Sequence, residues 1–496
     1  MIRRTTPVFF VALFGLAPID TIAQTNALAR ADTTIRSFDG REMKGEVLRL
    51  TVPERHQRPA RTLTVGALRF PATAAKPGRP IVFLMGGPGI PGSVMAPIPP
   101  YFTLFQKLRE LGDVIIVDQR GIGLSSPRID CPSSATLPTS AFADTAQLIS
   151  FIRNQVSICA ARQRSRNIEP TAYTTVESAD DVNALRKALG IPQIDLLAFS
   201  YGTRLALLIA QRHEVTVGRM VLQGVNGPGL VVKRPGPVAR KLSRMNDILK
   251  LDSAWIPAPD LADAARSARQ RLAGSPATVT VNDQNTGTPV QLKVSREGFD
   301  AIVALNLDDM RTPALLVSVA NGDDRVLTRF VETAWNGFNS SPVQIMARAV
   351  NCSADRPRSR WDLANAESAG APFGPPIDNA FLTKRFCLAA GYPGTTMAEF
   401  RRPLRSAIPS LLITGALDAT NPIENARDVA SGLTRSTMLE VANIAHEALP
   451  LAAVQDVVVE FLRGADVRNR QLTAPRPHYL TLTEALAPPL RRGPPP

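Results

Sequence analysis

The stretch IDLLAFSYGTRLAL, Ile194 to Leu207, joins a short continuous apolar run to an amphipathic one across a single serine, Ser200. Ile194–Phe199 has the length and composition of a strand buried on both faces. Tyr201–Gln211 carries helical spacing, so Ser200 falls on the turn between them. A serine activated at such a turn usually sits in the pattern G-x-S-x-G, and here Ala198 occupies the place of the first glycine. The five residues alone do not separate a nucleophile from an ordinary serine between a strand and a helix.

The surroundings repeat the same rhythm. Pro80–Met85 is an apolar run closed by Gly86-Gly87-Pro88-Gly89, and Asp113–Asp118 is another, closed by Gln119-Arg120-Gly121. Between them Phe102, Phe105, Leu108 and Leu111 recur at helical spacing. Thr175 opens a helical pattern on Val176, Ala179, Val182, Leu185 and Leu189, stopped by Gly190. Arg219–Val225 reads as a further strand, and Gly45–Val65 as an edge hairpin. Buried strands alternating with amphipathic helices predict an α/β fold, a mostly parallel central sheet flanked by helices.

Beyond Gly229 the rhythm fails. Helical patterns occur at Leu261–Leu272, Pro313–Ala320 and Val326–Trp335, with one isolated polar strand at Ala277–Val281. The sheet rhythm resumes at Pro409–Gly415 and closes with Ser436–Val441 and a helix over Ala452–Leu462. Ser200 and Asp418 are 218 residues apart, whereas two strand–helix units need only about 60 to 70. The surplus predicts a large, mainly helical cap inserted before the acid-bearing strand. The expected organisation is a signal peptide over 1–29, a first core part over 30–229, the cap over 230–404, a second core part over 405–465 and a loosely ordered Pro- and Arg-rich tail over 466–496.

Three residues follow predicted strands in loops: Ser200, Asp418 in Gly415-Ala416-Leu417-Asp418, and His446 in Asn443-Ile444-Ala445-His446. Singly each has an ordinary reading. Asp418 suits a turn before Asn421-Pro422, and a small-x-Ser-x-Gly is common. His446 stands out because the other histidines, His56, His213 and His478, lie in a polar N-terminal stretch, at a helix end and in the tail. Together the three supply nucleophile, base and orienting acid in the chain order Ser, Asp, His, at the carboxyl ends of strands where open α/β sheets build their sites. Acyl transfer also needs N–H donors for the developing oxyanion. The amide of Tyr201, next after the nucleophile, and that of Gly87 are the expected pair.

Leu84-Met85-Gly86-Gly87-Pro88-Gly89, then Asp118-Gln119-Arg120-Gly121-Ile122-Gly123-Leu124-Ser125, then Ser200–Ala206, then Asp418-Ala419-Thr420-Asn421-Pro422 occur in this order. Together they resemble the proline iminopeptidase and tripeptidyl aminopeptidase family of α/β-hydrolases, over roughly residues 75–465. The D-Q-R-G-x-G-x-S element is the most diagnostic part. The resemblance implies serine peptidase chemistry, usually that of an exopeptidase, with a helical cap over the site, and its Ser, Asp and His fall on Ser200, Asp418 and His446. Three departures stand out. Met85 lies where proline iminopeptidases often have His, Ala198 replaces a glycine, and Glu447 follows His446 where Gly is usual, placing a carboxylate next to the base.

An aminopeptidase needs carboxylates for the substrate's free ammonium, and cap residues Asp308, Asp309, Asp323, Glu332 and Asp355 are candidates. A carboxylesterase or small-molecule amidase with the same triad is the alternative, because the scaffold fixes acyl transfer but not the acyl group. A catalytically dead binding protein of the same fold should lack a triad member. The expected partner is therefore a small peptide or ester. No metal or organic cofactor is implied, and the oligomeric state is open, with a monomer compatible.

The remaining sequence bears on location. Arg3 and Arg4 precede the apolar run Val8–Ala17, with small residues at Thr21-Ile22-Ala23 and Ala27-Leu28-Ala29. This fits a bacterial-type export signal, periplasmic or secreted, and the run is too short to span a bilayer. Cys131, Cys159, Cys352 and Cys387 contain no C-x-x-C, so metal or dithiol chemistry is not expected. Four cysteines allow three pairings. The local one, Cys131–Cys159 with Cys352–Cys387, is the simplest, each closing a loop of about 30 residues and stabilising by roughly 3 to 4 kcal/mol. The net charge of +14 comes mostly from scattered arginine, with clusters at 162–166, Lys233-Arg234, Arg401-Arg402 and Arg491-Arg492. Without aromatic interleaving or a nucleic-acid fold motif, it reads as a solvated surface and argues against nucleic-acid binding.

Overall fold

A computed structural model describes residues 27–393 and 404–487. Arg401-Arg402, Arg491-Arg492 and the apolar run Val8–Ala17 lie outside the described residues. Seven strands precede the region without rhythm: β1 (Leu28–Arg36), β2 (Glu42–Pro53), β3 (Thr62–Phe70), β4 (Ile81–Leu84), β5 (Val114–Asp118), β6 (Ile194–Phe199) and β7 (Val217–Gln223). Within that region lie β8 (Ala277–Asn282) and β9 (Pro289–Val294), and after it come β10 (Ser410–Gly415), β11 (Ser436–Ala442) and β12 (Leu472–Thr473).

Ten of these form one sheet in the order β1-β2-β3-β5-β4-β6-β7-β10-β11-β12. β1, β2 and β3 run antiparallel to their neighbours, and every pair from β5 to β12 is parallel. The apolar runs are continuous because each strand feeds two cores. Val82, Leu84, Ile115, Val117, Leu196 and Leu222 join the larger cluster on one face. Their neighbours Ile81, Phe83, Val114, Ile116, Leu197 and Val221 join a separate cluster on the other, packed with the helices Pro99–Arg109 and Ala452–Arg463. Period-two alternation in a sheet covered on both sides thus appears in sequence as no alternation at all.

Between β7 and β10 the described residues are mainly helical, as expected, but the strand at Ala277 is not isolated. It pairs antiparallel with β9 in a hairpin of its own. The helix Thr145–Ser165, which precedes Ser200 in sequence, packs against the helices Arg296–Leu305, Ile345–Ser353 and Lys384–Ala389 of that region. Both local disulfides form, Cys131–Cys159 and Cys352–Cys387.

At the N-terminal end of the described residues, Leu28 and Ala29 begin β1, paired with Leu50 and Arg49. At the other end one expectation needs correction: residues 466–487 are not a loose tail, because β12 extends the sheet, Val467, Ala474 and Tyr479 are buried, and a capped helix spans Leu482–Leu486. No helix among the described residues is long and apolar enough to cross a membrane.

Candidate active site

Ser200 stands between β6 and the helix Tyr201–His213 with φ 54° and ψ −121°. A non-glycine residue at positive φ is strained and persists only where its surroundings over-determine it. Here the Ser200 amide donates to the Gln223 carbonyl at 2.8 Å, its carbonyl accepts from Thr203 N and Oγ1, and its side chain faces Gly86. A Cβ on Gly86 would sit 2.7 Å from Ser200 Cβ, and one on Gly202 would sit 2.0 Å from the Leu84 carbonyl oxygen. Glycine is therefore required on both flanks of the turn. Ala198, by contrast, lies fully buried in β6 opposite Leu84 and Leu222, where a methyl group fits.

The structure brings Ser200, His446 and Asp418 together across 246 residues of sequence. His446 Nε2 is 2.9 Å from Ser200 Oγ, and His446 Nδ1 is 2.8 Å from Asp418 Oδ2. The second oxygen of Asp418 accepts the amides of Thr420 and Asn421, both at 2.8 Å. The Phe199 ring packs 5.0 Å from the imidazole, and Gln223 Nε2 donates to the His446 carbonyl at 2.6 Å. Gly224, at φ 63°, leaves room for the ring: a Cβ there would meet His446 Cε1 at 2.9 Å. Ser200 and Asp418 are 8% and 5% exposed, so the pairings sit in a low-dielectric setting that strengthens them.

The glycine loop lies against this group. Gly87 has φ 108° and Gly89 φ 101°. The Gly87 and Tyr201 amides have no acceptor among the described residues, as donors reserved for an incoming oxygen require. The D-Q-R-G-x-G-x-S element carries no group to Ser200 but frames that loop. Asp118 accepts from Ser93 N and Oγ and from Leu124 N, and Gln119 Nε2 donates to the Met85 carbonyl. Ser125 Oγ donates to the Asp118 carbonyl and accepts from Gly66 N in β3. Arg120, fully buried, makes two bonds to Asp181 at 2.6 and 2.7 Å, and His56 Nε2 is 2.8 Å from the same carboxylate. His56 belongs to this clasp, and His213 to Asp180.

Several site residues escaped the sequence reading. Asn421, fully buried, donates from Nδ2 to the Gly224 carbonyl at 3.0 Å and lies 3.5 Å from Ser200 Oγ. Lys233 Nζ donates to the Thr420 carbonyl at 2.7 Å and to Asn421 Oδ1 at 3.2 Å. It is thus no part of a solvated basic surface, and its neighbour Arg234 is paired with Glu367. Burial brings the Lys233 ammonium down to about 8, helped by Arg204 and Arg360 and opposed by Asp378 and Asp418. Glu447 is held by the buried Tyr101, whose hydroxyl donates to Oε1 at 2.5 Å. The supposed tail also reaches the site: the Ala474 carbonyl accepts from Asn443 Nδ2, fixing the positive-φ turn that leads to His446.

Of the cap acids, Asp308 pairs with Lys241, Asp309 with Arg311 and Asp323 with Arg325, while Glu332 accepts the Asn282 amide. Asp355 lies beside Gly229, 3.4 Å from where a Cβ would stand. No group of three or more His, Cys, Asp or Glu among the described residues has the arrangement of a metal site.

The sequence pattern of the family described as alpha/beta hydrolase fold matches residues 79–453. The chain is 32% identical over 189 residues to "Serine protease Hip1" of Mycobacterium tuberculosis, an alignment covering 36% of each chain. It is 29% identical over 163 residues to YuaR of Escherichia coli (strain K12), covering 32% of this chain and 30% of that one. These alignments span about a third of each relative's length. A thermophilic esterase from Thermogutta terrifontis is similar in structure at TM-score 0.35 and 14% identity, over 84% of this chain and 98% of that one.

Proposed function

The chain belongs to the alpha/beta hydrolase family, and on that premise we propose that it is a serine hydrolase acting through an acyl-enzyme on Ser200. The observation that carries the reading is the unbroken hydrogen-bonded series Asp418–His446–Ser200 ending on a strained, glycine-flanked serine. Ser200 Oγ attacks a substrate carbonyl while His446 Nε2 takes its proton. Asp418 accepts from Nδ1–H, fixing the tautomer and stabilising the imidazolium. The Gly87 and Tyr201 amides receive the oxyanion. The leaving group departs with the proton from His446, and water activated by the same base releases the acyl product.

The substrate is a short peptide cleaved near a free N-terminus, and the enzyme works outside the cytoplasm. The family resemblance of the four motifs and the similarity to a protein described as a serine protease support the peptide. Two disulfides support an oxidising compartment. The deciding experiment is a panel of aminoacyl, prolyl and tripeptidyl anilides, each with free and blocked N-termini, beside short-chain esters. A preference for free N-termini that disappears with Ser200→Ala is the expected result. Indifference to blocking would favour the carboxylesterase or amidase, and turnover unaffected by Ser200→Ala would refute the nucleophile.

A further inference from the structure

A cavity of about 340 Å³ opens between the helices Thr145–Ser165 and Arg325–Ser340 and the start of the helix Ile345–Ser353. Phe151, Ile152, Val156 and Phe338 give it an apolar wall, Ser133, Gln155 and Ser341 add polar groups, and Gln344 and Arg348 come from the side of the helix Ile345–Ser353. That side adjoins the glycine loop. Gln344 Oε1 and Ala347 Cβ lie 3.6 and 3.7 Å from the position of a Cβ on Gly89. Gly89 is three residues from Gly86, which touches Ser200, so at most about 11 Å of backbone separates the two glycines.

Arg348 is the unusual member. Among the described residues, no hydrogen bond or ion pair engages its guanidinium, which rests over the Phe381 and Phe386 rings at 5.0 and 5.9 Å. Burial holds its pKa below the ordinary guanidinium value, with Asp378 and Tyr392 acting in the other direction from further away. A partly exposed guanidinium stacked on aromatic rings and lining a cavity keeps its planar set of N–H donors available to an anion such as a carboxylate. A second cavity of about 340 Å³, lined by Val238, Asp300 and Phe373, offers no such group, since its Asp300 is bonded to Arg269.

We infer that this cavity is a substrate subsite in which Arg348 binds the C-terminal carboxylate of a short peptide, the chain lying along the apolar wall with its scissile carbonyl at Ser200. The inference rests on the peptidase reading above and adds the end at which peptide length is measured.

Binding can be tested separately from turnover. Calorimetry on Ser200→Ala would compare a tetrapeptide bearing a free C-terminus with its C-terminal amide. The free acid is expected to bind at least about tenfold more tightly, and Arg348→Met in the same background should erase the difference while Arg348→Lys keeps part of it. On the catalytically intact chain, hexanoate should inhibit hydrolysis of a small ester competitively and hexanamide should not, a comparison that needs no variant at Arg348. Equal binding of acid and amide, or a preference that survives Arg348→Met, would overturn the subsite. Carboxylate preference seen only with acids on the acyl side, such as monoesters of adipate against hexanoate esters, would overturn the C-terminal assignment. Failure of the peptidase reading would appear differently, as anilides left uncleaved by the intact enzyme.

Discussion

The loops at the ends of β6, β10 and β11 and the cap wall facing them are built on opposite principles. In the loops the polar side-chain atoms of Ser200, His446 and Asp418 are all engaged. Ser200 is bound through its amide, carbonyl and hydroxyl, and Asp418 accepts three hydrogen bonds. The cap wall is fastened mainly by apolar packing. The helix Ile345–Ser353 is held at its start by Asp130 and the Cys131–Val343 bridge and near its end by Cys352–Cys387, and between these Arg348 has no hydrogen-bond or ion-pair partner among the described residues. Positions that must be accurate to a fraction of an ångström are over-determined. On the proposed reading, the cap meets the variable part of the substrate, and reaction type and selectivity separate along the boundary between sheet and cap.

The largest effects should come from the loops. Ser200→Ala should lower kcat by roughly 10⁵- to 10⁶-fold and Asp418→Asn by about 10⁴-fold, both without change in the thermal midpoint. A midpoint falling in step with activity would mean that these residues hold the fold rather than the chemistry. Gly202→Val should fail in both respects, because its Cβ would lie 2.0 Å from the Leu84 carbonyl oxygen. A destabilisation of about 3 kcal/mol or more in urea unfolding is expected. A folded, active Gly202→Val protein would show that the turn can relax.

The cap should respond more mildly. Replacing Cys352 and Cys387 together by serine should cost about 3 kcal/mol of stability on the chain-entropy account while turnover of a small acetyl ester changes by less than about threefold. A collapse of ester turnover would erase the proposed division of labour. Lys233→Met tests the boundary itself. The ammonium's folded value of about 8 lies below the ordinary lysine value of 10.5, so charge is lost on the alkaline side well before an exposed lysine would lose it. Wild-type kcat should fall as pH rises through about 8, and the variant should lose that limb along with about tenfold in rate. The smallest effect is expected at Asp130, whose carboxyl burial raises to about 6. A raised folded pKa means that ionisation opposes folding above that pH. Asp130→Asn should therefore match the wild type near pH 4 and gain about 1–2 °C in thermal midpoint at pH 7.

Legibility follows the same division. The sheet could be read because strands buried on both faces appear as unbroken apolar runs closed by glycine, and three strand-end residues came together as the chain order suggested. β1 was hidden because LARADTTIR is half-exposed or exposed throughout and shows no apolar face. β9 starts at a proline and buries only Leu292 and Val294. Composition misled at 466–487, where prolines and arginines mask the isolated anchors Val467 and Tyr479. Among the cap acids, Asp309 and Asp323 had their arginines two residues away in sequence, a local signal that was readable. The partner of Asp308 is 67 residues distant and was not. Asn421 and Lys233 were beyond reach because their roles depend on backbone carbonyls in distant loops.

The two small residues flanking Ser200 differ in what they tolerate. At position 202 the space is taken by a backbone oxygen, which no neighbouring side chain can move aside. At position 198 the neighbours are side chains on β4 and β7, which have already made room for a methyl group. Sequence drift around such a serine should thus be one-sided, free before it and frozen after it. A search pattern demanding both glycines imposes one condition that physics requires and one that it does not, and chains such as this one are what it would pass over.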